Sequence, residues 1–206
     1  MKPGQKFRNA LKNNKPLIIP GTINAYSAKL AELANHNSIY LSGSGVAAAS
    51  YGLPDLGVTT LENVLIDAKR ITSATSLPLL VDIDTGWGDF DAISNTIIEM
   101  GNANVAAVHI EDQIFDKRCG HRPNKQLVSI DEMQDRLKAA LDAKIDDSFF
   151  IMARTDALAS EGIEKAIERC GKYLDVGADG IFFEAAVSIE EYKELKNNFS
   201  APLLAN

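Results

Sequence analysis

The 206 residues are 46% hydrophobic and 24% charged, with 21 Lys and Arg against 28 Asp and Glu for a formal charge of −7. Such a composition excludes disorder and collagen-like repetition, and with no basic run it excludes a duplex-binding surface, so nucleic acid is not expected as a partner. No apolar stretch approaches the roughly 18 residues that span a bilayer, and the start MKPGQKFRNALKNNKP lacks a signal-peptide core, so no membrane association and a cytoplasmic location are expected.

Seven short apolar runs recur in chain order: PLIIPG, SIYLSG, LPLLVDID, VAAVHIED, FFIMARTD, GIFFEAA and APLLAN. Continuous rather than alternating hydrophobicity is the mark of parallel strands covered by helices. Between them, helical spacing runs over Ala28 to Leu33, Leu61 to Ile71, Ile93 to Met100, Met133 to Ala143, Ile163 to Leu174 and Ile189 to Leu195. Ser129 with Glu132 three residues on matches a capping box, and Gly101 and Gly177 stand where helices should stop. The order is βα throughout, with no linker or repeat, which predicts one α/β domain over residues 1–206.

Two architectures fit repeated βα units, an open doubly wound sheet and a closed (β/α)8 barrel. In both, chemistry belongs at the carboxyl ends of the strands. No G-x-G-x-x-G follows the first strand, which argues against a dinucleotide-binding sheet. The segments from Gly43 to Leu61 and from Asp112 to Ser129 are long for such connections, and long loops at these ends carry function.

The strand ends are acidic: Asp82 and Asp84, Glu111 and Asp112, Asp156, and Glu184. Asp82 and Asp84, two apart on a strand, would share a face. Two carboxylates in one small space are costly unless a cation binds, and hard oxygen donors without a His or Cys cluster point to Mg2+, with Mn2+ as the alternative. One acid capping a helix and another pairing with Arg154 would equally explain them. The loop DKRCGHRPNK sets Cys119 between Arg118 and His121, with Lys117 and Lys125 close by. Cationic neighbours favour a thiolate able to move a proton, whereas Cys170, in AIERCGKYL, reads as a structural thiol. Two cysteines are too few for a disulfide scaffold and fit a reducing compartment.

GTINAYSA, IYLSGSGVAAASYGLPDLG, LLVDIDTGWG, HIEDQ, KRCGHRPNK, IMARTDA and LLAN together resemble the isocitrate lyase and phosphoenolpyruvate mutase superfamily, in its order, from about Gly21 to Asn206. KRCGH followed by RPNK in a compact chain is most similar to the methylisocitrate lyases. The resemblance implies a (β/α)8 TIM barrel, a homotetramer, and cleavage of a tricarboxylate, 2-methylisocitrate, to pyruvate and succinate. It implies that Asp82 and Asp84 hold Mg2+ with Asp55 and Glu111 supporting its shell. It further implies that Ser42, Gly43 and Ser44 bind the carboxylate of the pyruvate-forming half. Arg154 would clamp a carboxylate or hydroxyl, Glu184 and Asn206 would complete substrate binding, and Gly120 with His121 would receive the succinate end. Cys119 would be the general acid and Tyr40 the base for the hydroxyl. Isocitrate lyase, or another oxo-acid lyase of the superfamily, is the alternative.

Two departures from the family pattern concern the pocket: Ser44 stands where a second glycine is usual, and Trp87 where Phe or Tyr is commoner. A third concerns length. Seven strand candidates leave an eight-stranded barrel short by one, so a C-terminal part is expected to be missing and the 206-residue chain alone to be inactive, at most a binding or assembly fragment.

Overall fold

The computed structural model describes residues 1–206, with six parallel strands in one sheet: β1 (Ile39–Leu41), β2 (Leu79–Asp82), β3 (Ala107–Glu111), β4 (Phe150–Thr155), β5 (Gly180–Phe183) and β6 (Leu203–Leu204). Every strand pairs with its neighbours in sequence, so the sheet curls one way as a barrel does and has no switch point. The run at residues 16–21, expected as the first strand, makes only a bridge. There Gly21 lies beside Tyr40, Thr22 N–H donates to the Tyr40 carbonyl (2.7 Å) and Tyr40 N–H to the Pro20 carbonyl (3.0 Å). Pro16 and Pro20 have no N–H to donate, which keeps the ladder this short. β6 pairs only with β5, leaving a seam between it and the bridge segment.

Helices α1 (Pro3–Asn13), α2 (Ala25–Leu33), α3 (Gly43–Tyr51), α4 (Leu61–Ala74), α5 (Phe90–Asn102), α6 (Ile130–Asp142), α7 (Leu158–Glu161), α8 (Ile163–Val176) and α9 (Ile189–Asn198) complete the chain. Of these, α1, α3 and the single turn α7 were not legible as periodic segments. Pro3 opens α1, and α3 arises within the segment expected as a long loop because Ser42 caps it, its Oγ accepting from Gly45 N–H at 3.3 Å. Gly177 ends α8 in the left-handed conformation (φ 117°), but Gly101 lies inside α5, whose cap is Ala103. Only half of the expected capping box forms at α6. Ser129 accepts from Glu132 N–H (3.1 Å), while the Glu132 carboxylate turns to Arg136 (2.7 Å). No helix is long and apolar enough to cross a membrane.

Side chains alternate along each strand. Leu79, Val81, Val108, Ile110, Ile151, Ala153, Ile181 and Phe183 join one large buried cluster with helix residues such as Val64, Ile71, Ile97 and Leu137. The intervening positions Leu80, Ala107, Phe150, Met152 and Phe182 face the barrel interior and pack with Phe7 of α1. Phe7 meets Phe150 edge-on, centroids 5.2 Å apart, and Arg8 Nε donates to the Ser148 carbonyl (2.9 Å), so α1 closes the end where the strands begin. Towards the other end the same inner face turns polar, through Asp82, His109, Glu111, Arg154 and Glu184, with Asp82 registered against His109 and Glu111 against Arg154.

Candidate active site

Asp82 is the last residue of β2, whereas Asp84 lies beyond the strand in a turn with φ 47°. A left-handed backbone costs an ordinary residue about 1–2 kcal/mol, and Asp is among the few that visit it. The turn is fixed by Asp84 N–H donating to Asp82 Oδ1 (3.0 Å) and by Glu111 N–H donating to the Asp84 carbonyl (2.9 Å). The two carboxylates therefore converge through a turn rather than through a shared strand face. Asp82, Asp84 and Glu111 are all buried and each offers an oxygen within 4.8 Å of the others.

Both Glu111 oxygens and Asp84 Oδ1 lack hydrogen-bond partners. Burial raises Asp82, but His109, Lys117 and Arg154 outweigh it and bring the carboxyl down to about 2. Burial and then the Asp82 charge lift Asp84 to about 6, and burial pushes Glu111 well above the usual carboxylate range in spite of Arg154. This is a site short of positive charge. Orphaned, hard oxygen donors at such a point fit Mg2+ or Mn2+.

Lys117 reaches the same carboxylates, its Nζ 2.6 Å from Asp55 Oδ1 and 2.6 Å from Asp84 Oδ1, the latter an ion-pair contact without hydrogen-bond geometry. Burial would lower this lysine, but Asp84, Glu111 and Asp82 raise it above its ordinary value and keep it charged. In the sequence it counted only as a cation near Cys119. Its place among the acids has no sequence signal beyond lying in KRCGH, because the contact depends on how the loop folds back.

Arg154 is buried between three acids. Its Nε and Nη2 donate to Asp156 (3.0 and 3.2 Å), Nε lies 3.3 Å from Glu111 Oε2, and Nη2 lies 3.6 Å from Glu184 Oε2. Gly120 rests directly on Arg154 and Glu184; a Cβ there would overlap both, which is why this position needs glycine. Cys119 is half-buried, and His121 is exposed with Nε2 3.4 Å from Glu184 Oε1. Cys170, by contrast, is wholly enclosed in the apolar cluster, where burial raises its thiol and disfavours thiolate. Tyr40 O–H meets His109 Nε2 at 2.9 Å. Burial lowers His109 to about 4, so the ring is neutral, and burial with the Asp82 charge raises Tyr40 well above its ordinary value.

One cavity of about 530 Å³ is lined by Tyr40, Ser42, Ser44, Asp55, Asp82, Lys117, Cys119, Gly120, His121, Arg154, Glu184 and Asn206, with Leu80, Met152 and Phe182 as its apolar depth. Gly43, Asp84 and Glu111 stand behind this lining. Gly43 N–H donates to Asp82 Oδ2 (3.1 Å) and Ser42 Oγ caps α3, so both already have partners within the chain. Ser44 is exposed at the rim. Trp87 is not in the wall; its Nε1 donates to the Thr59 carbonyl (2.9 Å) and its ring packs on the large cluster.

A curled parallel sheet with acids, a buried guanidinium and a thiol converging at its strands' carboxyl ends defines a TIM-barrel enzyme site. The family model described as phosphoenolpyruvate phosphomutase matches residues 7–206. The 2-methylisocitrate lyase of Shewanella oneidensis is 60% identical over 203 residues, covering 98% of this chain and 70% of that protein. That of Escherichia coli is 53% identical over 206 residues, covering 99% of this chain and 69% of that protein. Among solved structures, 2,3-dimethylmalate lyase, a PEP mutase/isocitrate lyase superfamily member, superposes with TM-score 0.92 at 35% identity over 98% of this chain and 69% of that one. Oxaloacetate acetylhydrolase in complex with 3,3-difluorooxalacetate gives 0.93 at 36% identity, over 98% and 70%. The chain belongs to the phosphoenolpyruvate mutase and isocitrate lyase family.

Proposed function

We propose that this chain, as a single barrel domain, forms the active site of a carbon–carbon lyase that cleaves 2-methylisocitrate to pyruvate and succinate. The observation that carries the reading is the convergence of Cys119, Arg154, Glu184 and Asp82 on one cavity, with Asp84 and Glu111 grouped behind Asp82, in a chain 53–60% identical to 2-methylisocitrate lyases. Asp82, Asp84 and Glu111, supported by Asp55, would hold Mg2+ or Mn2+, which when bound acidifies a coordinated hydroxyl and stabilises the carbonyl that forms from it.

The chain's own groups account for the rest. Loss of the proton from the tertiary hydroxyl lets its electrons form the pyruvate carbonyl as the adjacent carbon–carbon bond breaks. The bonding pair then moves onto the succinate half. Arg154, kept charged and fixed in orientation by Asp156, suits a substrate carboxylate or the hydroxyl oxygen, a bidentate task for which guanidinium is shaped. His121 and Gly120, which line the cavity, would receive the distal carboxylate, where charge accumulates. The Cys119 thiol gives its proton to the carbanion, which completes succinate. Tyr40 would take up the hydroxyl proton on its oxygen while its own proton passes to the neutral His109 ring, Nε2 2.9 Å away, since burial opposes a free phenolate. A cytoplasmic homotetramer, expected from the resemblance, belongs to the same proposal, and sedimentation measures its size.

Turnover is the test, made on a protein in which this chain continues into a strand that closes the seam. Pyruvate and succinate should form in equal amounts, faster from 2-methylisocitrate than from isocitrate. Cys119→Ser should cut kcat by at least ~10²-fold, whereas Cys170→Ser should leave it nearly intact. Equal effects of the two substitutions, or a preference for isocitrate, would contradict the reading.

A further inference from the structure

The loop that carries Cys119 leaves the barrel at Gln113 and returns at Leu127, and these two residues bridge its base. Most of its side chains, Phe115, Asp116 and Pro123 among them, face solvent. Gln113 and Lys125 do not. Gln113, 1% exposed, takes both polar atoms of the Arg118 peptide: its Oε1 accepts from Arg118 N–H (3.0 Å) and its Nε2 donates to the Arg118 carbonyl (2.9 Å). Lys125, its side chain 2% exposed, donates from Nζ to the Gly120 carbonyl (2.6 Å) and to Asp156 Oδ1 (2.9 Å). The residues immediately before and after Cys119 are therefore both gripped by buried side chains, and Arg122 N–H closes a turn onto the Cys119 carbonyl itself (2.8 Å).

The second grip leads into the site. Asp156, which receives Lys125, is the same carboxylate that holds Arg154, and its own N–H is fixed by Asp112 Oδ1 (2.9 Å). One acid thus sets the spacing between the guanidinium and the thiol-bearing turn. Stability alone is a weak reason for sinking an ammonium under an exposed loop, because desolvation offsets much of the ion pair. A fixed distance between two reacting groups is a strong one, since a displacement of about 1 Å costs on the order of 10²-fold in rate.

We infer that Gln113 and Lys125 are positioning residues that hold the Cys119 turn from both sides, Lys125 tying it through Asp156 to Arg154. The inference rests on Cys119 as the proton donor of the proposed reaction. Its reporter is the Arg122 amide, which neither side chain touches and whose exchange requires the turn to open. Hydrogen exchange by NMR on the folded chain should show this amide about tenfold faster in Gln113→Ala and in Lys125→Met, the scale of losing one or two such hydrogen bonds. Amides of β2 to β4 should stay as slow as in the wild type, as they should in the surface control Lys138→Met. In the closed barrel each variant should lower kcat by about 10²-fold with KM little changed. An Arg122 amide unaffected in both variants would overturn the inference, as would strand amides that speed up with it, since either leaves no specific hold on Cys119. Failure of the lyase reading would show elsewhere, as retained turnover in Cys119→Ser.

Discussion

The two faces of the same strands make opposite use of burial. Outward, Val81, Ile110, Ile151 and Ile181 meet the helices in one apolar cluster, and the buried charges at its border, Asp112 and Arg169 beside Tyr173, are paired within the chain. Inward, the strands begin apolar at Leu80, Phe150 and Met152 and end in Asp82, Glu111, Arg154 and Glu184, of which Glu111 and Glu184 keep buried oxygens without a hydrogen-bond partner. The outer face gains stability from removing apolar area from water. The inner face keeps carboxylates where their repulsion opposes folding, an arrangement that is useful only if something outside the chain answers them. Stability and chemistry are thus separated by a period of two residues.

The largest effect is expected where the inner face is self-compensated. Arg154→Met removes the one guanidinium among Glu111, Asp156 and Glu184. Because it leaves buried carboxylates without their partner, it should destabilise by about 3–5 kcal/mol in urea titration and abolish turnover. A variant with wild-type stability would show that these acids are neutral without Arg154. On the outer face, Ile151→Ala opens a cavity between β4 and its helices, at a cost of about 2–5 kcal/mol. Turnover per folded molecule should be unchanged in the closed barrel. Loss of kcat beyond the unfolded fraction would break the separation of the faces.

Much of this division was legible in the sequence, and the limits have physical causes. The apolar runs located the strands because both faces are buried over most of their length, but the same continuity hid which positions look inward. The acids at the ends of β2, β3 and β5 broke the run and marked the site. PLIIPG read as a full strand because its hydrophobicity is right, while two prolines deny it a ladder. SGSGVAAASY falls in what read as a long connection, although the Ser42 cap starts a helix there. Asp84 was placed on the strand face, but it reaches Asp82 through a positive φ that spacing cannot reveal. Lys117 and Lys125 counted only as cations near Cys119 and Gln113 had no role, because their partners Asp84, Arg118, Gly120 and Asp156 are brought to them by the fold of one loop.

Asp84→Asn tests the central claim most directly, because Asn tolerates the same left-handed backbone, removes one inner-face charge and leaves Lys117 paired with Asp55. The measurement is the melting transition of the 206-residue chain and of this variant, each in EDTA and in saturating Mg2+. Without metal, the variant should melt no lower than the wild type, since the buried charge it removes was held at a cost. With Mg2+ at about 100 times its Kd the wild type should gain about 2.7 kcal/mol and melt higher, and the variant should shift little. An equal Mg2+ shift in both proteins, or none in the wild type, would contradict an inner face built for a cation.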